Sequence, residues 1–471
     1  MIDFEPIIGM EVHVQLKTES KLFCACAVEY GAEPNSNVCP VCLGLPGVLP
    51  VLNARAVELA IKLALALNCQ ITEYSRFARK HYFYPDLPKG YQITQYQEPL
   101  AHSGHLVIDK NRIRIKRIIL EEDSGKSIHC GSETLIDFNR CGIPLVEIVT
   151  EPDIRSPVQA VEYLRNLRQI LQYLDVSDAD MEKGHFRCEP NISVRLAGAA
   201  FGTRTELKNL NSLRNVRDAL EYEIKRQTEI LKSGGKVNQE TLYWDETKMV
   251  TGPMRGKEES EDYRYFPEPD LPPLVITKEE IERIKQELPV MPEKRKEYFI
   301  QTLGLPEADA QILVERKSLA DYYEAVLRFL WEPRLVANWI ISEVGGILNE
   351  RKITIQELAI APQSLAKLLA MLKAGEITGT VAKEIFLEMV ETKNDPALIV
   401  AQKGVTRIDD ENLLNSVVDE VLETNPKVVE KYKKGKTTVV SFLVGEVMKK
   451  TKGRFSPQKV NEILIKKLSN T

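Results

Sequence analysis

The chain has 471 residues, 43% of them hydrophobic and 28% charged, with a formal net charge of −5 and eight cysteines. That length exceeds what one hydrophobic core serves, so about three domains are expected. The longest apolar helix candidate, Ala54 to Leu67, is interrupted by Arg55, Glu58 and Lys62, which argues against a membrane span, and Met1-Ile2-Asp3-Phe4-Glu5 lacks the basic and apolar regions of a signal peptide. A cytoplasmic protein with reduced cysteines is expected, so cysteine spacing carries more information than cysteine number.

In chain order, Met10, Val12, Val14 and Leu16 alternate with Glu11, His13 and Gln15, the period of a strand with one buried face, so Glu11 and His13 share the other. Cys24-Ala25-Cys26 and Cys39-Pro40-Val41-Cys42 follow, separated by twelve residues. Two close cysteine pairs flanking a loop suit a tetrahedral, all-thiolate, structural zinc, although the first pair is C-x-C rather than C-x-x-C. Cys69, Cys130, Cys141 and Cys188 show no such pairing. A helix is expected from Asn53 to Asn68. Lys80 to Gln92 then interleaves aromatics with lysines and prolines, which suits either a loop that stacks planar groups beside phosphate or plain aromatic packing.

Arg112, Arg114 and Lys116 alternate with Ile113 and Ile115 in a strand that delivers the chain to Leu120-Glu121-Glu122-Asp123-Ser124-Gly125-Lys126-Ser127. A P-loop needs a glycine where Leu120 stands, so this is not one. Acidic groups beside a lysine and a glycine are nonetheless the parts of a Mg²⁺ and phosphate site; alone they are also those of a charged turn. Glu147 lies inside the apolar run Pro144 to Val149. Burying an ionised carboxylate is costly unless a cation or donors meet it, so Glu147 is expected to face a metal or a basic partner.

Apolar residues recur at helical spacing from Pro157 to Asp175, and polar segments at Met181–Ser193 and Arg204–Ser212 suit sheet edges opening on a cleft. An aromatic and proline segment, Asp262 to Asp270, ends this body. After about Pro292 the sequence turns helical, with a break near Gly404 to Asp409. From Lys427 to Thr471 there are twelve Lys or Arg against three Glu, a net +9, and the preceding part carries −14. A basic tail on an acidic body fits a gripped polyanion, RNA or DNA, although a solvated basic surface would read the same.

These motifs, in order along essentially the whole chain, resemble the B subunits of the bacterial aspartyl/glutamyl-tRNA amidotransferases. The segments that carry the resemblance are Gly9 to His13, Gly31 to Asn35, Lys80 to Gln92, Glu121 to Ser127, Glu147 to Pro152, Asn191, Glu206 to Ser212, Asp262 to Asp270 and Phe442 to Gly445. The resemblance implies an α+β fold: an N-terminal antiparallel-sheet cradle over 1–292, a helical domain over 293–405 and a small, basic helical tail over 406–471 that contacts tRNA. It implies ATP-dependent conversion of glutamate on tRNA(Gln), and of aspartate on tRNA(Asn), to the amide. Ammonia would be supplied by the amidase (glutaminase) partner, the A subunit, with a small C subunit holding the two together.

On the resemblance, His13, Glu122 and Glu147 match the principal Mg²⁺ ligands, with Glu11 and Glu121 close by and Mn²⁺ an alternative because imidazole is unusual for Mg²⁺. Lys80 matches a basic residue of the site, and Lys126, Arg187, Lys208 and Arg264 join it as expected phosphate contacts. Glu189 stands where the family pattern has aspartate, one methylene shorter, which weakens its assignment as ligand or general base. The zinc knuckle occurs in only some members. Lys433, Lys434, Lys436, Lys449, Lys450, Lys452 and Arg454 are the expected tRNA contacts. The competing reading is a zinc-ribbon tRNA-binding scaffold with no chemistry of its own.

Overall fold

The computed structural model describes residues 4–108, 110–256, 263–404, 411–433, 437–451 and 454–469. Lys434, Lys436 and Lys452 lie outside them. The chain divides into two compact units, Met1–Met291 and Pro292–Thr471.

The first unit carries sixteen strands among its described residues. They are β1 (Phe4–Gln15), β2 (Gln70–Ile71), β3 (Tyr74–Ser75), β4 (Phe77–His81), β5 (Tyr91–Gln95), β6 (Ala101–Ile108), β7 (Asn111–Glu122) and β8 (Lys126–Cys130). After these come β9 (Glu133–Asp137), β10 (Pro144–Thr150), β11 (Phe186–Leu196), β12 (Thr205–Lys208), β13 (Glu240–Asp245), β14 (Val250–Gly256), β15 (Phe266–Pro267) and β16 (Leu274–Val275). Nine form one sheet in the order β14-β13-β12-β11-β1-β10-β7-β6-β2, antiparallel except where β12 meets β13. A three-stranded sheet, β15-β4-β5, packs against β7, and β8 and β9 form a separate hairpin.

Alternation explains the large sheet's two faces. Met10, Val12, Val14, Leu120, Val146, Ile148 and Ile192 point to one side and are buried in a single core. A bulge opposite Val149 and Thr150 absorbs Lys116, which lets Ile113 and Ile115 share that core with Ile118 despite the odd spacing. Three helices supply the other half of the core: α1 (Ala54–Ala66), α2 (Pro157–Tyr173) and α3 (Leu213–Lys232). Each start is fixed by a polar cap. Asn53 accepts from the amides of Arg55 and Ala56, Ser156 from that of Gln159 and Ser212 from that of Asn215, and Pro157 occupies a first-turn position that needs no donor. The helix expected from Asn53 therefore begins one residue later, with Asn53 as its cap.

The second unit contains helices and no strand among its described residues. Phe299 to Val400 contribute one hydrophobic cluster and Leu414 to Leu468 another. In the latter, Lys450, Lys459 and Lys467 pair with Glu420, Glu411 and Asp419 of the helix Glu411–Thr424. Lys433 and Lys449 are exposed, and Arg454 donates to the carbonyl of Thr451.

Ile148 sits fully buried between two residues of the open face. Replacing it with alanine should lower unfolding free energy by about 2–5 kcal/mol, measured by urea denaturation of the full-length chain, whereas a loss below about 1 kcal/mol would show looser packing than described.

Candidate active site

The open face of the large sheet opposes acids and bases across neighbouring strands. His13 of β1 is paired with Glu147 of β10 and Glu11 with Glu189 of β11, while Glu121 of β7 stands opposite Leu145, two residues along β10 from Glu147. Directly opposed residues in an antiparallel pair have their side chains on the same face, so register alone brings these groups together. His13 Nε2 lies 3.4 Å from Glu121, 3.6 Å from Glu147 and 3.9 Å from Glu11. Single ligand atoms of Glu11, His13 and Glu147 all fall within 4.8 Å of one another, as for groups that share a metal ion.

Electrostatics follow from crowding charges in a half-closed space. Burial first, then the charge of Glu147, raise the Glu11 carboxyl to about 7, and the same two causes raise Glu121. Burial opposes a charged His13, but its hydrogen bond with Glu147 and the nearby carboxylates outweigh burial and lift the imidazole to about 9. Burial likewise opposes an ionised Glu147, and the hydrogen bond and charge of His13, with Arg117 and Lys80, win and lower it to about 2. A divalent cation would take the place of the proton on His13 and relieve the repulsion among the acids.

Above this floor is a cavity of about 890 Å³, in the size range of small-molecule and cofactor sites. Its walls bring in Lys80, whose Nζ lies 4.7 Å from the centre of the Tyr263 ring, and Arg117, which donates to Glu147 at 3.1 Å. Arg117 Nε is buried with no partner, an unmet donor beside the cavity. Lys208 also lines it and donates to Glu189 at 2.6 Å, with Glu206 at 3.5 Å. Glu189 thus faces the cluster's side of the sheet but is held by a lysine.

Glu122 departs from expectation. Consecutive strand residues point to opposite faces, so when Glu121 meets His13, Glu122 cannot. It turns to the other side, where Lys89 pairs with it and the amide of Ile93 donates to it at 2.9 Å. Asp123 is taken by Arg187 at 3.0 Å, so that arginine reaches an acid rather than the cavity. Lys126 is exposed at the start of the β8 hairpin, and Arg264 is exposed near the Phe83 ring; neither lines the cavity. Arg117 and Lys89 were not singled out by sequence reading. Lys89 stood in the aromatic and lysine loop, but nothing local marks which lysine reaches an acid.

The four knuckle cysteines converge as well. The sulfurs of Cys24, Cys26, Cys39 and Cys42 all lie within 4.8 Å of one another, and those of Cys39 and Cys42 are 3.9 Å apart. Thiolates about 2.3 Å from a tetrahedral ion are about 3.8 Å apart, so the set fits zinc. A hydrogen bond from Cys24 holds the Cys42 thiol down at about 4 and pushes Cys24 upward, while burial raises Cys26 to about 11. Cys69, Cys141 and Cys188 are buried, and burial lifts each thiol to about 12.

Residues 6–282 match the family model of the GatB/GatE catalytic domain and residues 321–468 that of the GatB domain. The chain is 51% identical to the aspartyl/glutamyl-tRNA(Asn/Gln) amidotransferase B subunit of Carboxydothermus hydrogenoformans, with all of both chains covered. To the protein of that name from Persephonella marina it is 52% identical, over 98% of this chain and 99% of the relative. To that from Chlorobium phaeobacteroides it is 49% identical, over 99% and 100%. With both family models matched in order and half of all residues shared along the full length, the chain belongs to the B-subunit family of the aspartyl/glutamyl-tRNA(Asn/Gln) amidotransferases.

Proposed function

We propose that this chain carries the kinase and transamidase steps of a tRNA-dependent amidotransferase, acting on Glu-tRNA(Gln) and Asp-tRNA(Asn). The observation that carries the reading is the convergence on His13 of Glu11, Glu121 and Glu147, three acids that line a cavity whose walls are basic and aromatic. The side-chain carboxylate of the aminoacyl-tRNA attacks the γ-phosphorus of ATP, a P–O bond to ADP breaks, and an acyl phosphate forms. Ammonia then attacks the acyl carbon, phosphate leaves, and a proton is lost to give the amide. A carboxylate alone resists this substitution because its leaving group would be oxide.

A divalent cation, Mg²⁺ or Mn²⁺, held by His13, Glu147, Glu11 and Glu121 would screen the two anions that must approach each other. The chain's own cations do related work at the walls: Lys80 and Arg117 line the cavity where a phosphate would enter. Lys208 offsets part of the repulsion that Glu189 and Glu206 exert on Glu11, and Glu189 serves as the charge partner of that lysine. Ammonia comes from an amidase partner, and a small third protein holds the complex together. Structural zinc occupies the four-cysteine knuckle, and the basic tail domain over 406–471 contacts the tRNA through Lys433, Lys449, Lys450 and Arg454 with the neighbouring Lys434, Lys436 and Lys452.

Glu147→Gln in the assembled complex should reduce aminoacyl-tRNA-dependent ATP cleavage by roughly 10²–10³-fold while tRNA affinity holds. Unchanged turnover would instead favour a scaffold whose acidic site has no part in chemistry. Deleting residues 406–471 should weaken tRNA binding and flatten its dependence on salt, by about 0.7–0.9 in log–log slope for each phosphate no longer engaged. An unaltered tRNA affinity would remove the tail from the interaction. Protein purified without chelator should contain close to one zinc per chain by elemental analysis, and a stoichiometry near zero would end the zinc assignment.

A further inference from the structure

Lys21 is a charged side chain that the proposed chemistry does not use. It is completely buried, at 0% exposure. Its Nζ donates to the carbonyl of Asn37 at 2.8 Å, to that of Phe138 at 3.3 Å and to Cys42 Sγ at 3.7 Å, so three donors meet three acceptors. Among the described residues no carboxylate forms an ion pair with it; nearby Glu122 is already paired with Lys89. Its two oxygen partners are neutral, and carbonyl dipoles replace the hydration of a buried ammonium only in part, so negative charge among its contacts can come only from the Cys42 sulfur.

The knuckle poses the opposite problem. Four thiolates around one dication leave two negative charges in excess, in a pocket where Cys42 is buried. Each difficulty resolves the other. We propose that Lys21 is the internal counter-cation of a tetrathiolate zinc site at Cys24, Cys26, Cys39 and Cys42, and that it ties the loaded knuckle to the turn at Phe138. The proposal rests on the zinc reading above and adds the residue on which zinc retention depends.

The surroundings fit a brace of this kind. The amide of Asn37 donates to Asn139 Oδ1 at 2.8 Å and that of Phe138 to Asn35 Oδ1 at 2.7 Å, so the knuckle and the turn are laced on both sides of Lys21. The turn continues to Gly142, whose amide donates to the carbonyl of Asp123 at 2.9 Å. Gly142 has φ +85°, and a Cβ there would lie 3.4 Å from Lys21 Cδ and 3.9 Å from Glu122 Oε2. Lys21 thus stands between the thiolates and the end of β7 that carries Glu121 and Glu122. Neutral donors could serve two carbonyls equally well; only an anion at the cysteines explains why a cation was placed here.

The test uses the full-length chain with Lys21→Gln and Lys21→Met, the second keeping most of the apolar stem in case the first does not fold. Competition with a chromogenic chelator should show zinc affinity reduced about 10–100-fold in both variants. In cobalt-loaded protein the thiolate-to-cobalt charge-transfer bands should move in energy when the N–H···S hydrogen bond is removed. Lys21→Met should lower the thermal midpoint of zinc-loaded protein by more than that of zinc-free protein, where fewer thiolates answer the cation. Equal zinc affinity in wild type and variants, or the same drop in midpoint with and without zinc, would make Lys21 a packing residue and overturn the proposal. A wild-type chain that takes up no zinc would overturn the metal site itself.

Discussion

Carboxylates placed side by side on a sheet must be answered by cations, and the first unit is built around that constraint. Opposed residues on neighbouring strands sit about 4.5–5.5 Å apart at Cβ, close enough for like charges to destabilise the pairing. Glu11 and Glu189 are opposed in this way, Glu147 and Glu121 follow on the next two strands of the same face, and the structure interleaves His13, Lys80, Arg117 and Lys208 among the four acids. The set is still anionic at its centre. Retaining it against repulsion makes sense for a site whose ligand brings positive charge, and the opposite face, packed on three helices, supplies the rigidity that keeps it assembled.

What could be read from the residues depends on whether the relevant physics is local. Glu11 and His13 were legible because strand alternation fixes their common face, and Glu147 because an acid inside an apolar run demands a partner. The choice between Glu121 and Glu122 was not legible. Both lie in one acidic run, and which one faces His13 depends on the register of β7 with β10 and on a bulge at Lys116 that shifts the alternation. Such a shift leaves no mark on the sequence, yet moving one residue exchanges the two faces. The partners Lys89 and Arg117 were missed for a related reason: a long flexible side chain meets its acid through tertiary folding, at 33 and 30 residues' separation.

Cations elsewhere in this unit fasten together separate stretches of chain. Arg79 forks onto Glu268 at 2.7 and 2.8 Å and lies 4.2 Å from the centre of the Tyr91 ring, joining β4, β5 and the segment after β15. Planarity lets a guanidinium do both at once, which an ammonium could not. The residues just before β15 supply Tyr263 and Tyr265 to the cavity wall, so a pair remote from the acids shapes the space above them. Lys89 and Lys21 act in the same way near the end of β7, each satisfying an anion or carbonyls that packing alone would strand.

The tail shows why net charge read from sequence overstates what a partner meets. Lys450, Lys459 and Lys467 are drawn to acids of the Glu411–Thr424 helix, so part of the cationic surplus is neutralised within the fold. Exposed pairs of this kind contribute only about 0–1 kcal/mol each, because water and salt screen them. A polyanion presents a denser array of charge than a few glutamates on one helix, and it can displace them at little cost. The acidic helix therefore limits self-repulsion among the lysines within the fold, and its weak pairs would be only a small barrier to the polyanion contact proposed for the tail.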